Sequence, residues 1–174
     1  MNKYILTFLL SALSFSIFAQ DAYFQQHLNY TIDVTLNDKE KSLKGFETIV
    51  YKNNSPSTLN FIWFHIWPNA YKNESTALFQ QIRNDTSRTE KLKNVTYGSI
   101  DGLGFKVNGK EAKTEAHPNP QYIDIVKVLL PSPLKPGDSV TLTTGFNVKL
   151  PNYFSRSGYA DTEFMIAQWY PKPA

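Results

Sequence analysis

Ser139-Val140-Thr141-Leu142-Thr143-Thr144-Gly145-Phe146-Asn147-Val148-Lys149-Leu150 alternates apolar and polar side chains along its length. Val140, Leu142, Phe146, Val148 and Leu150 fall on one side, and Ser139, Thr141, Thr143, Asn147 and Lys149 on the other. Successive side chains of an extended strand point to opposite faces, so this period of two describes a strand with one buried and one wet face. Residues 28–36 repeat the pattern, with Tyr30, Ile32, Val34 and Leu36 alternating with Asn29, Thr31, Asp33 and Thr35. Antiparallel sheets can leave one face to water, whereas parallel sheets rarely do, so these two segments decide for an antiparallel β protein.

Working outward, residues 46–51 and 59–66 read as strands that are apolar on both faces. Residues 122–128 are rich in Ile and Val, and 163–170 carry Phe164, Ile166, Trp169 and Tyr170. Residues 95–100 and 105–107 are shorter candidates. Asn37-Asp38-Lys39 separates the first two strands. Asn108-Gly109 is the pair a type I′ hairpin turn prefers, because both central residues need positive φ. Lys135-Pro136-Gly137-Asp138 fits a type II turn, with Pro presetting φ at the second position and Gly taking positive φ at the third. One short helix is expected, capped by Ser75 or Thr76, with Leu78 and Ile82 on a shared face. A polar loop, 84–94, follows it. About eight strands with little helix predict an all-β, antiparallel sandwich or curved sheet.

The first residues, with Lys3 ahead of an apolar run from Ile5 to Phe18 and a small residue at Ala19, have the layout of a secretory signal peptide. The reading is a leader over 1–19 and one β domain over 20–174, exported to the periplasm or secreted, with no stable membrane anchor. The apolar run is too short to cross ~30 Å of hydrocarbon comfortably. The sequence has no cysteine. That closes both disulfides and the lipidated cysteine of a bacterial lipoprotein, so the core alone must stabilise the domain. About 155 residues after the leader are enough for such a core. Beyond Lys3 there are 17 basic against 15 acidic side chains, scattered rather than gathered into the basic stripe that nucleic acid requires.

No local pattern announces catalysis. The three histidines, His27, His65 and His117, are far apart on different expected elements. There is no HExxH helix that would present two imidazoles to zinc with a glutamate base. His65 reads as a strand residue hydrogen-bonded at a sheet end. There is no G-x-S-x-G elbow, and Ser155 sits in an expected loop with no base marked beside it. Gly102-Leu103-Gly104 lacks the third glycine and the helix of a dinucleotide site. Aromatic residues are conspicuous: Trp63, Phe64, Trp67 and Tyr71 close together, then Trp169 and Tyr170 near the end. Core packing explains them best, because each can bury a large apolar area.

Three stretches taken in order carry a resemblance. Leu43-Lys44-Gly45-Phe46-Glu47 leads into Ile49-Val50-Tyr51-Lys52-Asn53-Asn54-Ser55-Pro56. Next comes Leu59-Asn60-Phe61-Ile62-Trp63-Phe64-His65-Ile66-Trp67-Pro68-Asn69-Ala70-Tyr71. Late in the chain are Pro133-Leu134-Lys135-Pro136-Gly137-Asp138-Ser139 and Ala167-Gln168-Trp169-Tyr170-Pro171-Lys172. Over residues 23–174 the chain resembles the N-terminal region of secreted bacterial peptidases of the aminopeptidase N family, which are gluzincin-type zinc enzymes. The resemblance implies a saddle-shaped β domain packed on a separate catalytic domain that holds the zinc. It also implies that this chain lacks the zinc site and is inactive alone, and that it stops short of the whole protein. In the family a Gln or Glu near the last strands of this domain helps bind the free α-amine of the peptide substrate. Here Gln168 is the candidate, although the surrounding residues depart from the family's Q-x-[EQ]-A pattern. Its carbonyl suits the task, because an ammonium offers only donors.

Two other readings stand beside this one. A free-standing secreted β-sandwich that binds carbohydrate or peptide predicts aromatics among Trp63, Trp67, Tyr71 and Trp169 lined up on one exposed face. A small outer-membrane barrel predicts alternating strands throughout. Prolines 118, 120, 131, 133 and 136 and the loop 84–94 fit that poorly.

Overall fold

A computed structural model describes residues 23–152 and 155–174, so the expected leader lies outside the described residues. Two sheets face each other. The larger has strand order β1-β2-β9-β5-β6, with β1 at His27–Asn37, β2 at Ser42–Lys52, β9 at Ser139–Lys149, β5 at Lys106–Val107 and β6 at Lys110–Glu111. The short β4, Ser99–Asp101, also pairs with β9. The smaller sheet has order β12-β3-β8-β7, with β12 at Lys172–Pro173, β3 at Leu59–His65, β8 at Ile125–Leu134 and β7 at Thr114–Ala116. A hairpin of β10, Ser157–Ala160, and β11, Glu163–Ile166, stands apart. Every pairing between these strands is antiparallel. The chain is an all-β sandwich, as the alternation predicts.

The sheets meet through side chains that the period of two places inward. Ile49 and Tyr51 of β2, Leu142 and Val140 of β9, and Phe105 and Val107 pack against Ile62 and Phe64 of β3 and Val128 and Leu134 of β8. A second cluster, Leu43, Ile66, Ile100, Phe146, Val148 and Leu150, fills the other end, and Trp169 and Tyr170 lean on it. Gly45 is required there. A Cβ on it would lie 2.4 Å from the Phe146 ring, which needs that space to lie over β2.

The turns follow their residues. Asn108 and Gly109 both have positive φ, 49° and 79°. Gly137 takes φ 84°, and the Asp138 N–H donates to Lys135 O to close its turn. The helix α1, Ala77–Arg83, is capped by Thr76, whose hydroxyl accepts from the Phe79 N–H. Phe79 and Ile82 are its buried residues, with Leu78 only partly covered beside them.

Several expectations need correction. Residues 84–94 hold a short 3₁₀ turn, Thr89–Leu92. Residues 122–124 precede β8, which starts at Ile125 and runs through Pro131 and Pro133 to Leu134. Proline cannot donate to a ladder, so it is confined to edges and irregularities. Here the register between β3 and β8 jumps from Leu59↔Leu134 to Phe61↔Leu129, and the prolines sit in the bulge. The strand expected over 163–170 ends at Ile166.

Candidate functional site

What ends β11 is the segment that carries Gln168. After Ile166 the chain makes one more backbone bond, Ala167 N–H to Arg156 O, and then turns through Gln168 with φ 55°. A left-handed conformation is uncommon outside glycine and costs about 1–2 kcal/mol. Beyond it, Trp169 packs on Phe146 with ring centroids 5.9 Å apart, and Tyr170 meets Trp169 at 5.1 Å and Tyr30 at 5.6 Å. Pro171 is buried, and β12 then joins the edge of β3, Lys172 opposite His65. The apolar residues on either side thus pin a kink whose own residue is partly exposed. The Gln168 side chain makes no hydrogen bond to any described residue. Its amide is a free carbonyl and a free NH₂ held between two anchored segments.

Beneath the Tyr30 end of this aromatic group lies Glu47. It sits on the inner face of β2, opposite Ile32 on β1 and Thr144 on β9. It is fully buried, and neither carboxylate oxygen has a hydrogen-bond partner. The Thr144 hydroxyl is committed elsewhere, accepting from the Gly104 N–H and donating to Gly145 O. Burial pushes the Glu47 carboxyl up to about 8, because the charged form loses its hydration and gains nothing in return. Burial, then Tyr170 and Glu47, push the Tyr30 hydroxyl up to about 12. This carboxyl escaped the sequence reading because Glu47 stands among residues 46–51, which are apolar on both faces. Its inward parity with Ile49 and Tyr51 was the available signal.

A second polar group lies at the other end of the smaller sheet. Asp124 is buried, which raises its carboxyl. Its own backbone N–H, His65 and His117 oppose that rise. His65 is indeed the last residue of β3, but its Nδ1 is buried without a hydrogen-bond partner, contrary to the expected bond at the sheet end. His117 accepts from the Asn119 N–H through Nδ1, lies tilted against Trp63 and meets Tyr122 edge to face. Among the described residues no group of three or more His, Cys, Asp or Glu is placed to hold a metal ion. The residues present therefore do not fit a zinc site. Among the same residues no helix is long and apolar enough to cross a membrane.

The binding-module reading expects aromatics among Trp63, Trp67, Tyr71 and Trp169 to line up on one exposed face, and these four do not share one. Tyr71 is buried beside Phe79 and Ile82, and Trp67 donates its indole N–H to the Tyr71 hydroxyl. Trp169 packs against the second core cluster. Only Trp63 lies on the outer face of the smaller sheet, and there Lys127 covers the rings of Phe61 and Trp63 at 4.6 and 5.8 Å. A sugar stacking on these rings would have to displace that ammonium.

No family model matches the chain, and no curated protein matches it. Among solved structures it is similar to the M1 zinc metallopeptidase of Deinococcus radiodurans, at 15% identity and a TM-score of 0.43, over 78% of this chain and 23% of that one. A mutant of that enzyme bound to a Tyr-Ser-Ala substrate matches at 15% identity and a TM-score of 0.42, over 71% and 21%. A two-domain M1 zinc metallopeptidase mutant bound to L-tryptophan matches at 16% and 0.43, over 78% and 22%. The chain spans less than a quarter of the length of these proteins.

Proposed function

We propose that this chain is the non-catalytic N-terminal domain of an exported zinc aminopeptidase, and that Gln168 helps recognise the free amine of the peptide substrate. The catalytic zinc and its ligands would belong to a second domain of the same polypeptide, on which this one packs. The domain alone would hydrolyse nothing. Export through the 1–19 leader, to the periplasm or beyond, is part of the same reading.

The observation that carries it is the kink at Gln168. An unbonded amide is held in a strained backbone conformation between a packed Trp169 and the hairpin behind it. Local strain held by well-packed surroundings is a mark of functional positions. The carbonyl oxygen offers an ammonium the acceptor it needs, and a few placed polar groups suffice to orient a small ligand. The ordered motifs from Leu43 to Lys172 add the sequence resemblance.

The test has two parts. Reading the gene past the codon for Ala174 should reveal an open frame that runs into an HExxH helix with a downstream Glu. In that complete protein, Gln168→Ala should raise KM for peptides with a free amino terminus while Gln168→Glu retains binding. A stop codon after Ala174 removes the peptidase reading. Unchanged kinetics in Gln168→Ala remove the amine role alone.

A further inference from the structure

Among the described residues, the strand β1 is an unprotected edge of the larger sheet. It pairs with β2 in an unbroken register over all of its residues, from His27↔Lys52 to Asn37↔Ser42. On its other side no strand pairs with it among the described residues. Natural edge strands are usually blunted by proline, lysine, bulges or inward-pointing charges, because their free N–H and C=O groups template pairing. Residues 27–37 contain no proline, lysine or bulge. Their one acidic residue, Asp33, lies opposite Phe46 on the outer face.

The inner face of the same strand is apolar and poorly covered. Val34 and Leu36 are 45% and 43% exposed, and Tyr30 is 37% exposed, although all three lie on the face that elsewhere makes the core. Tyr170 meets the Tyr30 ring, and Leu28 and Ile32 pack on the core clusters, but Val34 and Leu36 belong to none of those clusters.

The sequence of β1 is complementary to itself. Run antiparallel to a second copy with Ile32 on the two-fold axis, Tyr30 meets Val34 and Leu28 meets Leu36 of the other copy. Asn29 then meets Thr35, and Thr31 meets Asp33. Every apolar residue lands on an apolar one, and every polar residue on a polar one. Cross-strand pairs of this kind are the units that stabilise sheets, and a two-fold contact must be self-complementary. Moving the axis to Asp33 would set the two carboxylates against each other, and a shift by a single residue in pairing would oppose apolar to polar faces.

We propose that β1 is a self-pairing edge, through which two copies of the chain join antiparallel with Ile32 on the axis, making one continuous sheet across both molecules. The lone acceptor and donor groups of β1 find partners, and the exposed Val34 and Leu36 gain cover. This rests on the fold alone and is independent of the peptidase reading.

Sedimentation of the chain at rising concentration should show a reversible dimer. Val34→Lys and Leu36→Lys, at positions half exposed in the monomer, should each raise the dissociation constant by about 100-fold, since each dimer would carry two ammonium groups against apolar side chains. Neither should change the melting temperature measured at a concentration where the chain is monomeric. Because the chain has no cysteine, single replacements report the register directly. Oxidised Ile32→Cys should form a disulfide-linked dimer. Thr35→Cys should not, because six residues of strand separate it from its mate, roughly 20 Å. A chain that remains monomeric at the highest concentration reached overturns the proposal. So does a dimer that neither lysine weakens, or one in which Thr35→Cys links as readily as Ile32→Cys.

Discussion

Replacing Glu47 by Gln should flatten the pH dependence of stability that this one carboxyl imposes. In the folded chain the group titrates at about 8, against 4.5 in its ordinary state. The folded state therefore keeps a proton that the unfolded state releases, and stability falls as pH rises between the two values. Below about pH 4.5 both states are protonated and nothing is lost. From pH 5 to pH 7 the loss is about 2.5 kcal/mol, and above pH 8 it levels off near 5 kcal/mol, taking 1.36 kcal/mol per pKa unit. In a chain of this size 2.5 kcal/mol corresponds to roughly 5–10 °C in melting temperature. The Glu47→Gln variant would carry a buried amide at every pH, so its constant cost sets the height of the curve and not its slope. Urea unfolding of both proteins from pH 4 to pH 9 gives the difference directly. The variant should gain steadily on the parent through pH 5–8 and run parallel to it on either side. Curves that stay parallel throughout would refute a neutral, unsolvated Glu47, and would mean that water or a cation reaches its oxygens.

Three further substitutions test other parts of the structure. Gly45→Ala drives a methyl into the Phe146 ring and should cost about 1–3 kcal/mol in denaturant unfolding. Asn53→Ala should cost about 2–4 kcal/mol by the same measurement. Its buried amide donates to Ser57 O and Leu134 O and accepts from the Ser55 N–H and hydroxyl and from the Gln26 side-chain amide, so five groups lose a partner. Gln168→Gly should be more stable than Gln168→Ala by about 1 kcal/mol, because glycine takes φ 55° without strain while both lose the amide. If the two are equally stable, the left-handed kink is absent in solution.

Much of the sandwich could be read from parity. The inward set of β9 is the one its alternation marks, and the two hairpin turns with Gly109 and Gly137 follow from the positive φ each requires. Parity told which face of β1 is apolar, but not that it would stay half exposed, because coverage depends on how far the opposite sheet extends. The prolines of β8 suggested a break, and only the bulge against β3 shows how a strand accommodates them. At the candidate site, Gln168 was singled out by motif order and not by conformation. Its neighbours Trp169 and Tyr170 pattern as strand, and it is their packing on Phe146 and Tyr30 that turns the chain aside. Glu47 and the Asp124 group are spatial features, assembled from strands that are distant in sequence, and no local window contains them.

The pairing of β2 with β9 joins Ser42–Lys52 to Ser139–Lys149, so the centre of the larger sheet is built from segments almost a hundred residues apart. Such non-local pairing is slow, because a long loop must close before any contact rewards it. While the chain is being made, β3 and β8 reach the β1–β2 hairpin before β9 does, but β9, which pairs with β2, is the last of the larger sheet's members to appear, so that sheet stays incomplete until then. Late completion of the larger sheet leaves its apolar strands open to aggregation for that interval. A ribosome-bound chain ending at residue 138 should be cut throughout by protease, and one extended past Leu150 should acquire protection in a single step.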